Sequence, residues 1–431
     1  MKWSLIFFNS LVAILIISCQ PSKKMITPHA ELESQTTFPK TDAFLSELLI
    51  NKDAALDTVL KNPSKYKVQV IYTRVNRDSD NQPSFEHSYF GIDPDQYFYP
   101  ASTVKFPVAL LALQKINELN IPGLDEHATF ITGASQQWQT ETYNEPSSED
   151  GRPTIAHYIK QILLVSDNEA FNRLYEFLGQ QYINNSLHQM GYMETRILHR
   201  LQVSLTDDQN RITNPIKFYD TSGKLLFEQP QVQSSLQYNI DTILLGKGFM
   251  RNGKLVDKPF DFTIKNKLTL PDLHSMLQSI IFPSSVPQQQ RFNLNEQQYK
   301  WLYKYMSMKP AESVYPSYDS TYTDAYVKFL MYGGSGSISD PGIRIFNKVG
   351  DAYGFLTDAA YIVDFKNGVE FLLSATVYTN ENEIFNDDQY EYNTVGFPFM
   401  KKLGEVIYEY ELNRQKKNIP DLTPFQISYL Y

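Results

Sequence analysis

The stretch YPASTVKFPVALLALQKINEL, residues 99–119, decides the fold. Its apolar residues recur at helical spacing, which predicts a helix from Ser102 to about Leu119. Ser102 and Lys105 then lie one turn apart on the same helix face. A serine hydroxyl is a poor nucleophile until a base takes its proton, and the positive end of a helix favours a neutral lysine. We therefore predict Ser102 as a nucleophile and Lys105 as its base.

A second motif, Ser166-Asp167-Asn168, lies between two stretches of helical pattern. One interpretation is structural, because Ser166 with Glu169 three residues later has the form of a capping box for the second helix. The other interpretation is functional. Ser166 would relay a proton between Lys105 and the leaving group, Asn168 would hold a substrate amide, and Asp167 would tie down its own loop. The motif alone leaves both interpretations open.

A third motif, Lys348-Val349-Gly350, ends a strand-like run near the end of the chain. A lysine there adds positive charge beside the nucleophile and can hold a substrate carboxylate. Glycine lets a substrate lie close to the strand edge. The backbone N–H of Asp351 would pair with that of Ser102 as an oxyanion hole.

Two other stretches match the same short patterns. Ser64-Lys65-Tyr66-Lys67 also has a serine three residues before a lysine, but it leads into a strand and lacks the helical register. Lys366-Asn367-Gly368 also matches Lys-x-Gly, but Asn-Gly is a strong hairpin signal. We expect neither stretch to be part of the site.

Short apolar runs near both ends of the chain predict one sheet. The strand-like runs and the closing helix lie at 67–75, 84–92, 343–348, 359–365, 369–378 and 397–412. We therefore expect an α/β (α+β) fold with a five-stranded antiparallel sheet from both chain ends. Helices would flank the sheet, and an all-helical subdomain would be inserted in the middle.

The expected organisation follows from these elements. It comprises a lipoprotein signal peptide at 1–18, a tether at 19–40, an α/β subdomain from 41–118 and 320–415, a helical subdomain at 119–319, and a C-terminal tail at 416–431. Two strand-turn-strand patterns, around Ser222-Gly223 and Asn252-Gly253, predict a β-rich insertion at 207–266. The alternative for that segment is a long solvated loop, but structureless loops of this length are uncommon in compact domains.

The N-terminus has the pattern of an export signal. Lys2 is followed by a largely apolar run from Leu5 to Ile17, which is shorter than the roughly 20 residues that cross a membrane. Cys19, the only cysteine of the chain, closes that run after Ser18. We expect Cys19 to be lipidated and to anchor an exported protein in the bacterial cell envelope, facing the periplasm or in the outer membrane.

Charge and composition exclude several functions. The 39 Lys and Arg against 48 Asp and Glu leave a net charge of −9, which argues against a nucleic-acid partner. The seven histidines are isolated, and with Cys19 lipidated no cysteine remains as a ligand, so we expect no metal. We expect a monomer without cofactors.

The order of the three motifs resembles that of class A β-lactamases and penicillin-binding proteins. Residues 68–118, 154–179 and 348–378 are similar to the strands and helices that carry these motifs in that family. The resemblance implies a β-lactamase/transpeptidase-like fold and a serine hydrolase that forms an acyl-enzyme. Its catalytic residues would be Ser102, Lys105 and Ser166, and its substrate-binding residues Asn168, Lys348 and Gly350. It implies no metal and no cofactor.

Two departures from the family pattern bear on turnover. Val349 stands where a threonine or serine hydroxyl is usual, so a substrate carboxylate would lose one hydrogen bond. Gln202 stands where the deacylation glutamate of class A enzymes would be expected, and an amide cannot act as a base. The nearby acids that could replace it are Glu194, Asp207 and Asp208.

Three functions remain open on the sequence. The first is hydrolysis of a β-lactam or a related amide or ester through an acyl-enzyme. The second is a penicillin-binding type of enzyme acting on D-alanyl peptides of the cell wall. The third is a lipid-tethered binding protein on a hydrolase fold that has lost its activity. The presence of Ser102, Lys105, Ser166 and Lys348 argues against the third.

Overall fold

The structure is a computed structural model that describes residues 41–238, 240–338 and 340–429. Cys19 and the expected signal peptide and tether lie outside these residues. The strands are β1 (Gln69–Arg77), β2 (Pro83–Phe90), β3 (Thr129–Thr132), β4 (Ile216–Tyr219), β5 (Leu225–Gln229), β6 (Leu244–Leu245), β7 (Gly248–Arg251), β8 (Lys254–Val256), β9 (Phe260–Asp261), β10 (Ile343–Ala352), β11 (Phe355–Asp364), β12 (Val369–Tyr378) and β13 (Ile384–Phe385).

The helices cover both faces of the main sheet. They are α1 (Ala43–Leu49), α2 (Ala54–Leu60), α3 (Pro63–Tyr66), α4 (Lys105–Leu119), α5 (Ile155–Val165), α6 (Asn168–Leu178), α7 (Gln180–Gln189), α8 (Asp207–Asn210), α9 (Leu270–Ile281), α10 (Glu296–Ser307) and α11 (Phe397–Asn413). Among the described residues, none of the helices has the length and apolar character needed to cross a bilayer.

The main sheet is antiparallel and contains five strands in the order β10-β11-β12-β1-β2. Strand β1, from the beginning of the described chain, pairs with β12, from its end, so that Gln69 lies opposite Thr376. The predicted sheet of both chain ends is therefore confirmed. The first strand begins two residues later than expected, because Lys67 has a left-handed φ of 43° that closes α3.

Two apolar layers hold the sheet between helices. Tyr361 and Leu372 point into a core shared with α4, α5, α6 and α9. Ala360 and Leu373, their neighbours along the strands, point into a second core with α1, α2 and α11. Every residue of β11 and β12 is therefore buried, and these strands show continuous apolar runs rather than alternation.

The segment 207–266 contains short strands that pair beyond its own limits. Strands β4 and β5 form a hairpin that extends onto β3, a strand not expected from the sequence, where Phe130 lies opposite Phe218. Strands β7 and β8 form a second hairpin across Asn252 and Gly253. Strand β13 adds in parallel to β7, so residues after the main sheet contact this segment. The pairing of β13 with β7 brings the chain that follows β12 towards Ser102.

Candidate active site

Residues 101–104 form a turn that places Ser102 directly beside Lys105; we call it the nucleophile turn, after the predicted role of Ser102. The chain enters it through Ala101, whose φ of 47° is uncommon for a residue with a side chain. Residues 101–104 form a 3-10 turn, and α4 continues from Lys105. Residues three apart eclipse one another in such a turn. The Nζ atom of Lys105 accordingly lies 2.8 Å from Oγ of Ser102.

Burial lowers the proton affinity of Lys105. Its side chain is completely enclosed, and this desolvation lowers its pKa to about 7, against the opposing negative charges of Asp167 and Asp351. A lysine with such a pKa is about half neutral at pH 7 and can accept a proton there. The helix end was expected to favour the neutral lysine, whereas burial is the first cause of the lowered pKa.

Ser166 lies between two lysines. It has a left-handed φ of 61° and ends α5. Its Oγ atom accepts a hydrogen bond from Nζ of Lys348 at 2.8 Å, and Nζ of Lys105 lies 3.3 Å away. Lys105 also donates to the backbone carbonyl oxygen of Ser166. The hydroxyl therefore connects the two amines in one chain of hydrogen bonds.

The capping-box interpretation of the second motif is wrong. The N-cap of α6 is Asp167, whose carboxylate accepts a hydrogen bond from the backbone N–H of Ala170 at 2.8 Å. Glu169 instead forms an ion pair with Arg173 one turn along the helix. Asp167 thus fixes its own loop, and the hydroxyl of Ser166 remains available to the lysines.

Lys348 is enclosed at the edge of the sheet. It lies on β10 and is 3% exposed, and its Nζ atom donates to Oγ of Ser166 and to the carbonyl oxygen of Val349, each at 2.8 Å. Desolvation and the nearby Lys105 lower its pKa well below the usual lysine value. Its amine is engaged within the protein through these two bonds, and the expected role of Lys348 in holding a substrate carboxylate stays a prediction.

Gly350 brings β10 against the nucleophile turn. A Cβ atom at this position would lie 2.7 Å from the carbonyl oxygen of Pro100 and 2.8 Å from the backbone nitrogen of Ser102. Both neighbours are backbone atoms that cannot move aside, so only glycine fits. The next residue is Asp351, whose backbone therefore borders the same turn. The backbones of Gly350 and Ser102 therefore lie close together, and the oxyanion hole expected from the N–H groups of Ser102 and Asp351 stays a prediction.

Gln202 faces Asn168 across the cleft. The amide nitrogen of Asn168 donates to Oε1 of Gln202 at 2.6 Å. Gln202 has a left-handed φ of 55° and an exposed side chain. The two predicted residues are therefore brought together, and both line the cavity in front of Ser102.

Buried polar groups fix the loop that carries Gln202. The side-chain amide of Asn172 on α6 accepts from the N–H of Leu201 at 2.8 Å and donates to its carbonyl oxygen at 2.9 Å. Arg200 donates to Glu176 at 3.2 Å and to the carbonyl oxygen of Ile212 at 2.9 Å. The loop is therefore attached to the same helix that begins with Asn168.

A cavity of about 440 Å³ opens in front of Ser102. Its lining comprises Tyr99, Ala101, Ser102, Asn168, Leu201, Gln202, Asp351, Ala352, Tyr353, Asn386, Asp388, Tyr390 and Tyr392. A larger cavity of about 780 Å³ lies beside α4 and α7 and contains none of the motif residues. The smaller cavity is the candidate site, because it alone of these two contains Ser102.

The acids proposed to replace the deacylation glutamate do not line this cavity. Glu194 forms an ion pair with Lys267 at 2.6 Å, and Asp207 lies 3.7 Å from Arg211. Asp208 is exposed on α8. The carboxylates that do line the cavity are Asp351 and Asp388.

Other sequence features lie apart from the site. Ser64 and Lys67 line a different cavity, next to the end of β12, and the serine belongs to the short helix α3. Lys366 and Gly368 lie in the turn between β11 and β12. In the described part of the chain, histidine and acidic side chains form no group of three or more that could hold a metal ion.

The family model described as beta-lactamase enzyme family matches residues 52–410. This match spans most of the chain, including all three motifs. The chain belongs to the beta-lactamase enzyme family. Membership explains the order of the motifs and the sheet built from both ends. No curated protein sequence matches the chain.

Solved structures similar to this family member have low sequence identity to it. A class A β-lactamase from Clostridium kluyveri is 14% identical, with 83% of this chain and 98% of that one covered and a TM-score of 0.44. A structure titled PBP-A is 15% identical, with coverages of 86% and 97% and a TM-score of 0.47. A β-lactamase from Xanthomonas campestris is 12% identical, with coverages of 79% and 91% and a TM-score of 0.43.

The wall of the cavity that is formed by the segment after β12 was not expected from the sequence. Asn386, Asp388, Tyr390 and Tyr392 come from the segment that follows β13. Their local sequence, rich in Asn, Asp and Gln, predicts only a loop. Strand β13 pairs with β7, far away in sequence, and no local pattern indicates that pairing.

Proposed function

We propose that this member of the beta-lactamase enzyme family is a serine hydrolase that forms an acyl-enzyme on Ser102 with a β-lactam or a related amide or ester. The observation that supports this most directly is the 2.8 Å separation between Oγ of Ser102 and Nζ of Lys105. The same amine is buried and has a pKa of about 7. A serine without a base at this distance would remain a weak nucleophile.

Acylation follows from the hydrogen-bond chain. Neutral Lys105 takes the proton of Ser102, and Oγ attacks the carbonyl carbon of the substrate. The N–H groups of Ser102 and Asp351 would stabilise the tetrahedral oxyanion. When the carbon–nitrogen bond breaks, the leaving nitrogen receives a proton through Oγ of Ser166, which lies 3.3 Å from Lys105. The product of this step is an ester on Ser102.

Release of the acyl group requires an activated water. Gln202 can orient a water but cannot take its proton at neutral pH. Its Oε1 atom is held by Asn168, so the amide has a defined position in the cleft. We infer that release is slower than acylation. This favours, as a second candidate, a penicillin-binding type of enzyme in which another acceptor than water takes the acyl group.

A labelling experiment tests the proposal. The protein is mixed with a fluorescent penicillin or a chromogenic cephalosporin, and its intact mass is followed over time. We expect a mass increase of one acyl group that is absent in Ser102→Ala. Ser64→Ala is the matched control, because Ser64 also precedes a lysine by three residues but lies on α3, in a different cavity.

The outcomes separate the candidates. Lasting label on Ser102 supports an acyl-enzyme with slow release, and transient label with colour supports efficient β-lactam hydrolysis. Label that persists in Ser102→Ala, or label lost equally in Ser64→Ala, would show that Ser102 is not the nucleophile.

A further inference from the structure

The cavity in front of Ser102 carries two carboxylates and lacks a cationic side chain. Asp351 and Asp388 both line it, and both are exposed. Within the described residues, neither carboxylate forms an ion pair or a hydrogen bond through its side chain. No lysine, arginine or histidine is among the lining residues. Desolvation raises the pKa of the Asp351 carboxyl, and the nearby charges of Lys348 and Lys105 oppose this shift. The two carboxyl groups face the space that a substrate would occupy.

The two motif lysines lie near Asp351 but do not line the cavity. Lys105 and Lys348 are buried behind Ser102, and the amine of Lys348 is bound to Ser166 and to the carbonyl oxygen of Val349. Desolvation lowers the pKa of both amines, to about 7 for Lys105, which is therefore about half charged at neutral pH. Val349 also offers no hydroxyl to a substrate carboxylate. An anionic group placed beside Asp351 and Asp388 would meet no cationic side chain among the residues that line the cavity.

Tyrosine rings complete the wall around the two carboxylates. Tyr390 and Tyr392 lie with their ring centroids 5.5 Å apart, and Tyr99 and Tyr353 lie 5.0 Å apart. The hydroxyl of Tyr390 accepts from the backbone N–H of Asn386 at 2.9 Å, and that of Tyr392 accepts from the backbone N–H of Gly354 at 2.9 Å. These two hydroxyls are engaged within the protein, and all four rings line the cavity. Aromatic faces attract ammonium groups.

We propose that the cavity selects acyl donors that carry an ammonium group, and that Asp351 and Asp388 determine this specificity. The inference rests on the proposed acyl-enzyme function and names the substrate class of that site. The ammonium group would lie between the carboxylates and the tyrosine rings while the acyl carbon reaches Ser102. A donor whose matching position holds a carboxylate would be disfavoured by the same two residues.

Three matched aryl esters test this inference. They share one acyl chain, which ends in an ammonium, a methyl or a carboxylate group. The rate of phenol release in the first turnover gives the acylation rate, and intact mass confirms the label on Ser102. Because exposed charge pairs contribute modestly, we expect the ammonium ester to react about tenfold faster than the carboxylate ester at low salt. The difference should shrink in 1 M salt, which screens exposed charges.

Substitutions at Asp351 and Asp388 test whether these two residues cause the preference for the ammonium ester. Asp351→Asn and Asp388→Asn should each lower the ratio of the ammonium rate to the methyl rate several-fold. The ratio is taken within each variant, so a general change in acylation rate cancels. Asp208→Asn is the matched control, because it removes the same charge from an exposed acid outside the cavity, and its ratio should equal that of the unmodified protein.

Each outcome decides the inference. Equal rates for the ammonium and carboxylate esters, or a ratio unchanged in both cavity variants, would overturn it while leaving the acyl-enzyme intact. A ratio that falls equally in Asp208→Asn would also overturn it, because net charge and not the cavity would be the cause. Failure of every ester to label Ser102 would instead refute the proposed function and the inference with it.

Discussion

Nζ of Lys348 lies 2.8 Å from Oγ of Ser166, although 182 residues separate them in sequence. Lys105 approaches the same oxygen from the other side. Ser166 therefore connects the amine of Lys105, which lies beside Ser102, with the amine of Lys348 at the edge of the sheet. Both amines have lowered pKa values, because burial disfavours their charged forms. This arrangement makes proton transfer through Ser166 possible without a histidine.

The pH dependence of acylation should report Lys105. Its pKa is about 7, and only its neutral form accepts the proton of Ser102. The acylation rate should therefore rise with pH, roughly tenfold per unit below the pKa, and level off about one unit above it. Stopped-flow labelling between pH 5 and pH 9 measures this. A rise centred near the ordinary lysine pKa of about 10.4, or a flat profile, would contradict the assignment.

Gln202→Glu should accelerate release of the acyl group. Glutamate has nearly the same shape and can accept the same hydrogen bond from Asn168, but it can also take a proton from water. A general base typically contributes about 10² to 10⁴-fold to the step it serves. Intact-mass measurement of the decay of the acyl-enzyme gives the release rate. Gln202→Ala is the control and should not accelerate release, and an unchanged rate in Gln202→Glu would mean that another group activates the water.

Gly350→Ala should impair acylation more than stability. The added Cβ would lie within 2.8 Å of backbone atoms of Pro100, Ser102 and Thr103, and would push the strand away from the nucleophile turn. A displacement of about 1 Å can lower a rate by about 10²-fold. Gly342→Ala is the control, because its Cβ would approach only side-chain atoms, the nearest being Oδ1 of Asp340 at 3.1 Å. Equal acylation rates in the two variants would argue against the oxyanion-hole geometry.

Asn172→Ala should destabilise the loop that carries Gln202. The variant leaves the buried N–H and carbonyl groups of Leu201 without their partner, which typically costs about 2–3 kcal/mol. Urea denaturation gives the free energy of unfolding. Asn185→Ala, at an exposed position of α7, should change it by less than about 0.5 kcal/mol. If Asn172→Ala lowers the free energy of unfolding by less than about 0.5 kcal/mol, the loop is held mainly by the hydrogen bonds of Arg200.

Cys19→Ala tests the proposed lipid anchor, which concerns residues outside the described structure. A protein anchored through lipid on this cysteine should leave the membrane fraction, or remain unprocessed, when the cysteine is replaced. Fractionation with an immunoblot measures both results. Membrane association and processing that match the unmodified protein would exclude the anchor.

The local sequence was sufficient for the strands of the main sheet and for placing Ser102 beside Lys105, but not for β3. Ser102 and Lys105 are three residues apart, so any helical turn brings them together, whether α-helical or 3-10. Strands β11 and β12 were recognisable because both of their faces are buried and most of their residues are apolar. The fold class follows from these short-range patterns, and the order of the three motifs indicated the family.

Other features depend on contacts between residues that are far apart in sequence. The lowered pKa of Lys105 requires the enclosure of its side chain, which no sequence spacing specifies. The role of Asp167 as N-cap depends on the left-handed backbone of Ser166, which allows the hydroxyl to face the lysines.

The sequence by itself determined the spacing of Ser102 and Lys105, the strands of the main sheet and the order of the motifs, because spacing, local pattern and order can all be read along the chain. Only the tertiary structure decided the charge and the walls of the cavity. Asp351 and Asp388 lie 37 residues apart, and the second reaches the site because β13 pairs with β7 of the inserted segment. Such pairing depends on the folded path of the whole chain, since the backbone hydrogen bonds of a strand do not specify which distant partner it takes.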